Sequence, residues 1–500
     1  MTSVIIIGGG LGGLSAGISL QSKGYNVTII DENLHPGGKM MPVEMNGYSF
    51  DFGPNTITMP EVFQSVINDA GGDASHYFEF ERLVKHTKNI FPNGEILYQS
   101  ADPDEMISEL EKIDPYGATH YKEYLKEVEK LYTLAERGFF YRVFGSWRDY
   151  LAPQLSYSFM KVRPFEKMDH FHRRFFQDED VLKVFNRYAT YIGSSPYECP
   201  ATFSLIGHLE MKDGVYYTKG GNPSIAKGFY QFFKELGGNI HFGTRVKEVV
   251  VKEKRAIGVV TDRDETMYAQ DVIVNGDFIT ATKHLIKEAE RPSHPDRKLD
   301  AYEPSISAFV ILAGLRNYQA GVHHHQVYFT GNYQKEFSEI FNKKSLPSDP
   351  TIYISHSAAT ERDISKGSNL FILVNAPAIE LTEEEVESYK EKIYTKLEDL
   401  GLPIREYLEV ERVYTPNSIK RQFSAYKGAL YGLASHRMTE AFLRPSNVSK
   451  DIDHLFYVGG TTHPGGGSPM VTISGRNVAN YILKRDKFVS QKDHSFSSNE

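Results

Sequence analysis

Gly8, Gly10 and Gly13 stand in the spacing G-x-G-x-x-G. They follow the apolar run Val4 to Ile7 and precede a helical pattern carrying Leu14, Ile18 and Leu20. A glycine at the first place permits a tight turn. One at the second lets a pyrophosphate approach the backbone, and one at the third lets helix and strand pack closely. The helix N-terminus then offers free N–H groups to the phosphates. A second β-branched run, beginning at Tyr25, ends in Asp31, 18 residues after Gly13. A carboxylate there accepts hydrogen bonds from a ribose diol and disfavours a 2′-phosphate, which excludes NADP at this site. The glycine triplet alone is a weak signal. Strand, turn, helix, strand and acid within about 30 residues make it a dinucleotide-binding unit.

Other groups could carry chemistry, and each also has a plain structural reading. His323, His324 and His325, and the run Asp169-His170-Phe171-His172, have metal-ligand residue types. The chain has 18 histidines, so such clusters arise by chance. Surface or loop histidines are the expectation, and no metal is expected. Cys199 has no evident base beside it and is expected to be a buried structural residue. As the single cysteine it excludes an internal disulfide, a Cys-rich zinc site and a C-x-x-C redox pair. Asp51 is expected to satisfy backbone groups rather than to work as an acid or base. No acid/base pair can be assigned.

The elements that must position these residues span 500 residues with net charge −8 and 13% aromatic side chains. That length suits two or more domains. The mild acidity excludes a generic basic nucleic-acid footprint, so no nucleic acid is expected. No stretch approaches the ~20 apolar residues of a membrane span, and no signal peptide is visible. Residues near 100–200 read mostly as helix, interrupted by an aromatic and basic segment from Phe139 to Phe176. Short β-rich runs follow from Gly237, at 239–242, 246–251, 256–261 and 272–275. Leu381 to Gly401 predicts an amphipathic helix with a Thr382/Glu385 capping box and an apolar stripe of Val386, Tyr389, Ile393, Leu397 and Leu400. Leu455 to Gly460 is a further buried strand into a glycine-rich turn. The polar tail is expected to be disordered.

Further motifs carry a family resemblance. Pro36-Gly37-Gly38-Lys39, followed by Tyr48-Ser-Phe-Asp51-Phe-Gly53-Pro54, resembles the second flavin motif of the FAD-dependent amine oxidase and phytoene desaturase superfamily. Val246 is similar to that family's adenine-contacting position. Residues 457–475 resemble its C-terminal flavin motif. The resemblance covers nearly the whole chain. It implies an α/β fold, with an FAD-binding Rossmann-like (doubly wound) domain and an inserted α+β substrate domain. The expected segments are 1–75, 216–290 and 416–486 for FAD, 76–215 and 291–415 for substrate and membrane association, and 487–500 as the disordered tail. The implied FAD contacts are Gly8, Gly10, Leu11, Gly12, Gly13, Asp31, Gly38, Lys39, Val246, Gly460, Pro469, Met470 and Val471. Lys39 is expected to pair with a phosphate. His463 is a candidate substrate-orienting residue, with the shaping of its turn as the equal alternative.

Phe50 to Pro54, Thr58-Met-Pro60, Tyr217 to Gly221, Val413 to Pro416 and Thr462 to Gly467 point to the carotenoid branch. Within it the chain resembles bacterial enzymes acting on acyclic C30 carotenoids. It is closer to those that oxidise the terminal methyl groups of diaponeurosporene or diapolycopene than to the desaturases of diapophytoene. The implied partners are an acyclic carotenoid, molecular oxygen and a membrane surface, with a cytoplasmic location on the inner face of the cell membrane. Two rivals differ in class. Prenyl-lipid escort proteins share this fold but carry a degenerate flavin site. Amine oxidases need an aromatic cage and often a covalent Cys link. A bilayer substrate turns the aromatic segment into an expected membrane patch formed by Phe139, Phe140, Phe144 and Trp147, with Arg137, Arg142, Arg148, Lys161, Arg163, Arg173 and Arg174 facing anionic lipid. The plain alternative is a substrate-domain core with a solvated basic face.

Overall fold

The computed structural model describes residues 2–144, 153–317, 321–436 and 438–497. Val4, Ile5 and Ile6 are buried within strand Ser3–Ile7, as a β-branched run inside a parallel sheet must be. The strand lies at the centre of a five-stranded parallel sheet ordered 455–457, 271–274, 3–7, 26–30, 239–241. Three separated stretches of chain therefore build one sheet. Helix Leu11–Gln21 and the C-terminal helix Ser468–Ser497 cover one face together. They touch where a Cβ on Gly475 would lie 2.1 Å from the Gly12 carbonyl oxygen. Ser15 Oγ donates to the Thr472 carbonyl at 2.9 Å at the same crossing. On the opposite face an antiparallel ribbon of 246–252, 255–261 and 266–268 packs Val249 and Val259 against Ile5, Ile30 and Val274.

The C-terminal helix corrects one expectation. Residues 487–497 continue it to Ser497, where a disordered tail was expected from 487. The polar side chains just before that point act as anchors. Arg485 grips the fully buried Asp271 through both guanidinium ends at 2.7 Å, and His454 reaches the same carboxylate at 2.7 Å. Tyr25 Oη donates to Asp486 at 2.7 Å. A helix docked this firmly extends by further residues at little cost.

A seven-stranded mixed sheet forms the second layer, ordered 408–414, 307–315, 368–376, 352–356, 325–328, 85–90, 96–100. Only 325–328 and 85–90 run parallel among its pairs. Strand Ser307–Leu315 is buried at every position. Helix Glu383–Asp399 covers this sheet. Its capping box of Thr382 and Glu385 is formed on both sides, and Tyr389, Ile393 and Leu397 face inward. The hairpin Met41–Met45/Tyr48–Phe52, although part of the first FAD-assigned segment, packs on this sheet through Phe52 against Phe371 and Tyr414.

Between the strands lies a helical lobe whose spine is Pro115–Ala135. Asp114 caps it by accepting from the Gly117 amide at 2.8 Å. Tyr121, Tyr124, Val128 and Leu131 recur at helical spacing and are buried. The Tyr124 ring meets Phe171, Phe175, Phe176 and Phe185. Here the second expectation is corrected. Phe139, Phe140 and Phe144 are buried rather than presented to lipid. Side chains of the C-terminal segment pin their backbone. His463 binds the Phe139 carbonyl at 2.6 Å, Asn477 donates to the Phe140 carbonyl at 2.7 Å, and Ser446 donates to that of Phe144. Rings packed against protein with satisfied carbonyls have nothing to gain from a bilayer. Of the basic set, Arg163 pairs with Glu127 and Glu166, and Arg173 with Asp169 and Glu179. Trp147 and Arg148 lie outside the described residues.

Candidate functional site

The glycine turn is assembled around a residue that the motif does not contain. Asn275, just past strand 271–274, donates from its amide to the Gly8 carbonyl at 2.9 Å. A Cβ on Gly13 would lie 2.1 Å from the Gly8 carbonyl oxygen and 2.8 Å from the Asn275 amide nitrogen. One on Gly8, at φ +103°, would lie 2.4 Å from the Asn275 carbonyl oxygen. One on Gly12 would fall 2.9 Å from the Asn275 side chain and 3.0 Å from the Val471 carbonyl. The first, second and third chain segments thus meet at one asparagine. Its position after a strand was legible in the sequence, but nothing local marked it as the hub.

Asp31 stands beside this turn. One carboxylate oxygen accepts from the Gly9 amide, and the other accepts twice from Asn33 at 2.8 and 2.9 Å. An ionised carboxylate has about four acceptor positions, so room remains for a ribose hydroxyl. The Thr244 amide donates to the Asp31 carbonyl at 3.0 Å, which brings buried Val246 to the same end of the sheet. The Gly37 amide donates to Gly9 at 2.9 Å, and a Cβ on Gly38 would sit 3.4 Å from the Gly10 Cα. Lys39 lies next along this loop. Its Nζ donates to the Leu430 carbonyl at 2.7 Å, and desolvation holds the ammonium below the ordinary lysine value against the opposing effect of Asp277.

The C-terminal turn completes the cradle. Gly460 faces Gly466 and Val471, and its carbonyl accepts from half-buried Arg444 at 3.3 Å. Pro469, Met470 and Val471 form the first turn of the long helix. Met470 leans on the helical lobe and Val471 on the dinucleotide core. The first helix has Gly10 as its N-cap, with no side chain capping it and no acid in its first turn. Unclaimed N–H groups between close-packed glycines fit a pyrophosphate, and the residues present therefore fit a dinucleotide. His463 bridges the turn to the Phe139 carbonyl, with its ring edge-on to Phe144 at 4.6 Å. Burial lowers it to about 4, so it stays neutral and positions the segment. Asp51 faces the Gly221–Asn222 backbone, and burial raises its carboxyl to about 7. Burial pushes the Cys199 thiol up, far from nucleophilic use.

A second cluster lies between these turns and the seven-stranded sheet, and sequence reasoning missed it. Arg187, Tyr191, Glu210, His325 and Tyr353 come from four distant stretches, so no spacing could have announced them. Tyr353 Oη and His325 Nδ1 are 2.8 Å apart, and Thr56 Oγ1 approaches Tyr353 at 3.5 Å. Thr56 follows the Gly53-Pro54 motif, and Gly53 packs on the Lys39 backbone. Tyr431 meets the Gly466 turn from the other side. Of the histidine runs, His324 and His325 are buried in hydrogen bonds to Thr360 and Tyr353, and His172 in one to Asn186. His170 is exposed beside Glu166.

The family model described as flavin containing amine oxidoreductase matches residues 11–483. A 4,4'-diapolycopene oxygenase of Methylomonas sp is 31% identical over 497 residues, covering 97% of this chain and 98% of that protein. A 4,4'-diaponeurosporene oxygenase of Staphylococcus haemolyticus is 31% identical over 486 residues, covering 96% of each. The solved structure of an oxidoreductase from Methanosarcina mazei superposes with a TM-score of 0.61 at 15% identity, covering 96% of this chain and 100% of its own.

Proposed function

The chain belongs to the flavin containing amine oxidoreductase family, and from that premise we propose that it oxidises the terminal methyl groups of an acyclic C30 carotenoid, diaponeurosporene or diapolycopene, to aldehydes. It is an FAD-dependent oxidoreductase. The observation that carries the finer reading is the near full-length similarity to two oxygenases of such polyenes. Bound FAD supplies a hydride acceptor. Gly8, Gly10, Gly13 and the N-terminus of helix Leu11–Gln21 would hold its phosphates, Asp31 its ribose, and Gly460 to Val471, with the N-terminus of helix Ser468–Ser497, the far end. Molecular oxygen is the proposed source of the added oxygen.

The protein's remaining task is to bring an apolar rod to the cofactor and keep water away. A cavity of about 430 Å³ opens beside Phe165 and Phe341, with a rim that is largely polar and carries Glu166, Glu198, Glu303 and Lys167. Aromatic rings lead inward from it. His436 meets Phe341 at 4.2 Å, Phe341 meets Phe337 at 6.4 Å, and Phe337 meets Tyr333 at 5.0 Å. Phe165 of its rim is 68% exposed, and Met160 and Leu443 are 65% and 47% exposed. These three flank the packed Phe159–Phe442 pair. Such a patch supports a peripheral seat on the inner face of the cell membrane, with the polyene passing from lipid into the cavity. It replaces the buried phenylalanines as the lipid contact.

The test uses the FAD-loaded chain and liposomes carrying diaponeurosporene, without oxygen. The expected result is that protein floats with the vesicles and the flavin absorbance is lost, while putrescine in its place leaves the flavin oxidised. Flavin loss with the amine and not with the polyene would overturn the reading.

A further inference from the structure

Arg187 is a buried cation with an unmet donor among the described residues. It is only 7% exposed, in the short helix Arg187–Ile192 of the helical lobe. One guanidinium nitrogen donates to Tyr191 Oη at 3.3 Å. The guanidinium carbon stands 5.3 Å from the Tyr191 ring and 5.9 Å from the Tyr353 ring. Among the described residues nothing accepts from its Nε, which is buried. Glu210, fully buried, balances the charge at one remove by accepting from Tyr191 Oη. Among the described residues His325 Nε2 is also buried without a partner. A buried donor left unmade costs about 1–3 kcal/mol. The unmet Nε–H of Arg187 points to an acceptor that arrives with a ligand, and His325 Nε2 adds a second donor in the tautomer whose Nδ1 accepts from Tyr353.

The position narrows the chemistry. The cluster touches Thr56, just past the Gly53-Pro54 motif, through Tyr353. The aromatic succession from the cavity reaches Tyr333, whose hydroxyl is buried and unpartnered among the described residues, and runs on to Phe329 and Phe91. An unoxidised polyene has no oxygen to offer these groups. A carboxylate would bring a second anion beside Glu210, at a cost magnified by burial. A neutral carbonyl oxygen accepts from the guanidinium without adding charge.

We propose that Arg187, with Tyr353 and His325, binds the carbonyl oxygen of a polyene end group, so that the ligands of this chain include polyene aldehydes as well as the parent hydrocarbon. This rests on the polyene reading above. Arg187 acts as a binding residue for the aldehyde oxygen, Tyr353 and His325 complete its surroundings, and Glu210 positions Arg187 through Tyr191.

The experiment titrates the FAD-loaded chain with an acyclic C30 polyene mono-aldehyde and, separately, with its parent hydrocarbon, and follows the visible band of each. The expected result is about tenfold tighter binding of the aldehyde, with its band moved to longer wavelength by hydrogen bonding to the carbonyl. In Arg187→Met the preference and the band shift are lost, and Arg187→Lys restores part of both. Tyr353→Phe removes one hydroxyl and keeps the ring, so it serves if Arg187→Met fails to fold, and it is expected to reduce the shift. Unchanged preference and band position in both variants would overturn the proposal. So would equal binding of aldehyde and hydrocarbon by the parent chain, which leaves the polyene reading standing. Binding of neither ligand removes the polyene reading itself.

Discussion

Gly13→Val yields a chain that purifies without flavin colour. The valine Cβ would lie 2.1 Å from the Gly8 carbonyl oxygen and 2.8 Å from the Asn275 amide, both parts of the turn's own framework. Neither is the free end of a flexible side chain, so helix Leu11–Gln21 must move away from strand Ser3–Ile7 by about 1 Å. A shift of that size in a preorganised site costs on the order of 100-fold. The N–H groups at the helix start and the Asp31 carboxylate lose their common alignment. Titration of the purified chain with FAD, read by flavin fluorescence, is expected to show that loss in affinity. A full complement of bound FAD in this variant would contradict the assignment of the cradle.

Acidification is the second large effect. His86, His172, His324, His325, His356 and His463 are all buried, and burial holds every one of them below the usual histidine value. His86 and His324 are lowered to about 3, and His172, His356 and His463 to about 4. The unfolded chain takes up protons near pH 6.5 that the folded chain refuses, so stability is complete above that value and falls as pH drops toward 4. Each ring contributes about 1.4 kcal/mol per pH unit in that window. Asp51 and Glu336 oppose this. Burial raises both to about 7, so their contribution is present at low pH and lost as pH rises through 7. Six rings outweigh two acids. Urea unfolding at pH 7.5 and pH 5.5 is expected to show a loss of several kcal/mol, a large part of ordinary domain stability. Equal stability at both values would contradict the buried, neutral state of these histidines.

The dinucleotide half of the fold is legible in the sequence because its signals are local. A β-branched run, three glycines and an acid at fixed offsets name a strand, a turn, a helix and a second strand, each where the structure has it. The capping box at Thr382 is equally local. What escaped depends on assembly. Asn275 matters only because five glycines converge on it. Arg187, Glu210, Tyr353 and His325 become a cluster only when a helical lobe is laid on a sheet, and no periodicity encodes that. The aromatic segment misled for a related reason. Composition cannot tell a ring that faces lipid from one that faces Phe442 and His463, and the hydrogen bonds that decide it come from residues more than 300 positions away.

The masses of the products report the reaction itself. The FAD-loaded chain, incubated in air with liposomes carrying diaponeurosporene, is expected to yield a polyene that has gained one oxygen and lost two hydrogens at a terminal methyl group. Diaponeurosporene left unchanged, beside diapophytoene that loses hydrogens in pairs and gains no oxygen, would make the chain a desaturase and contradict the account.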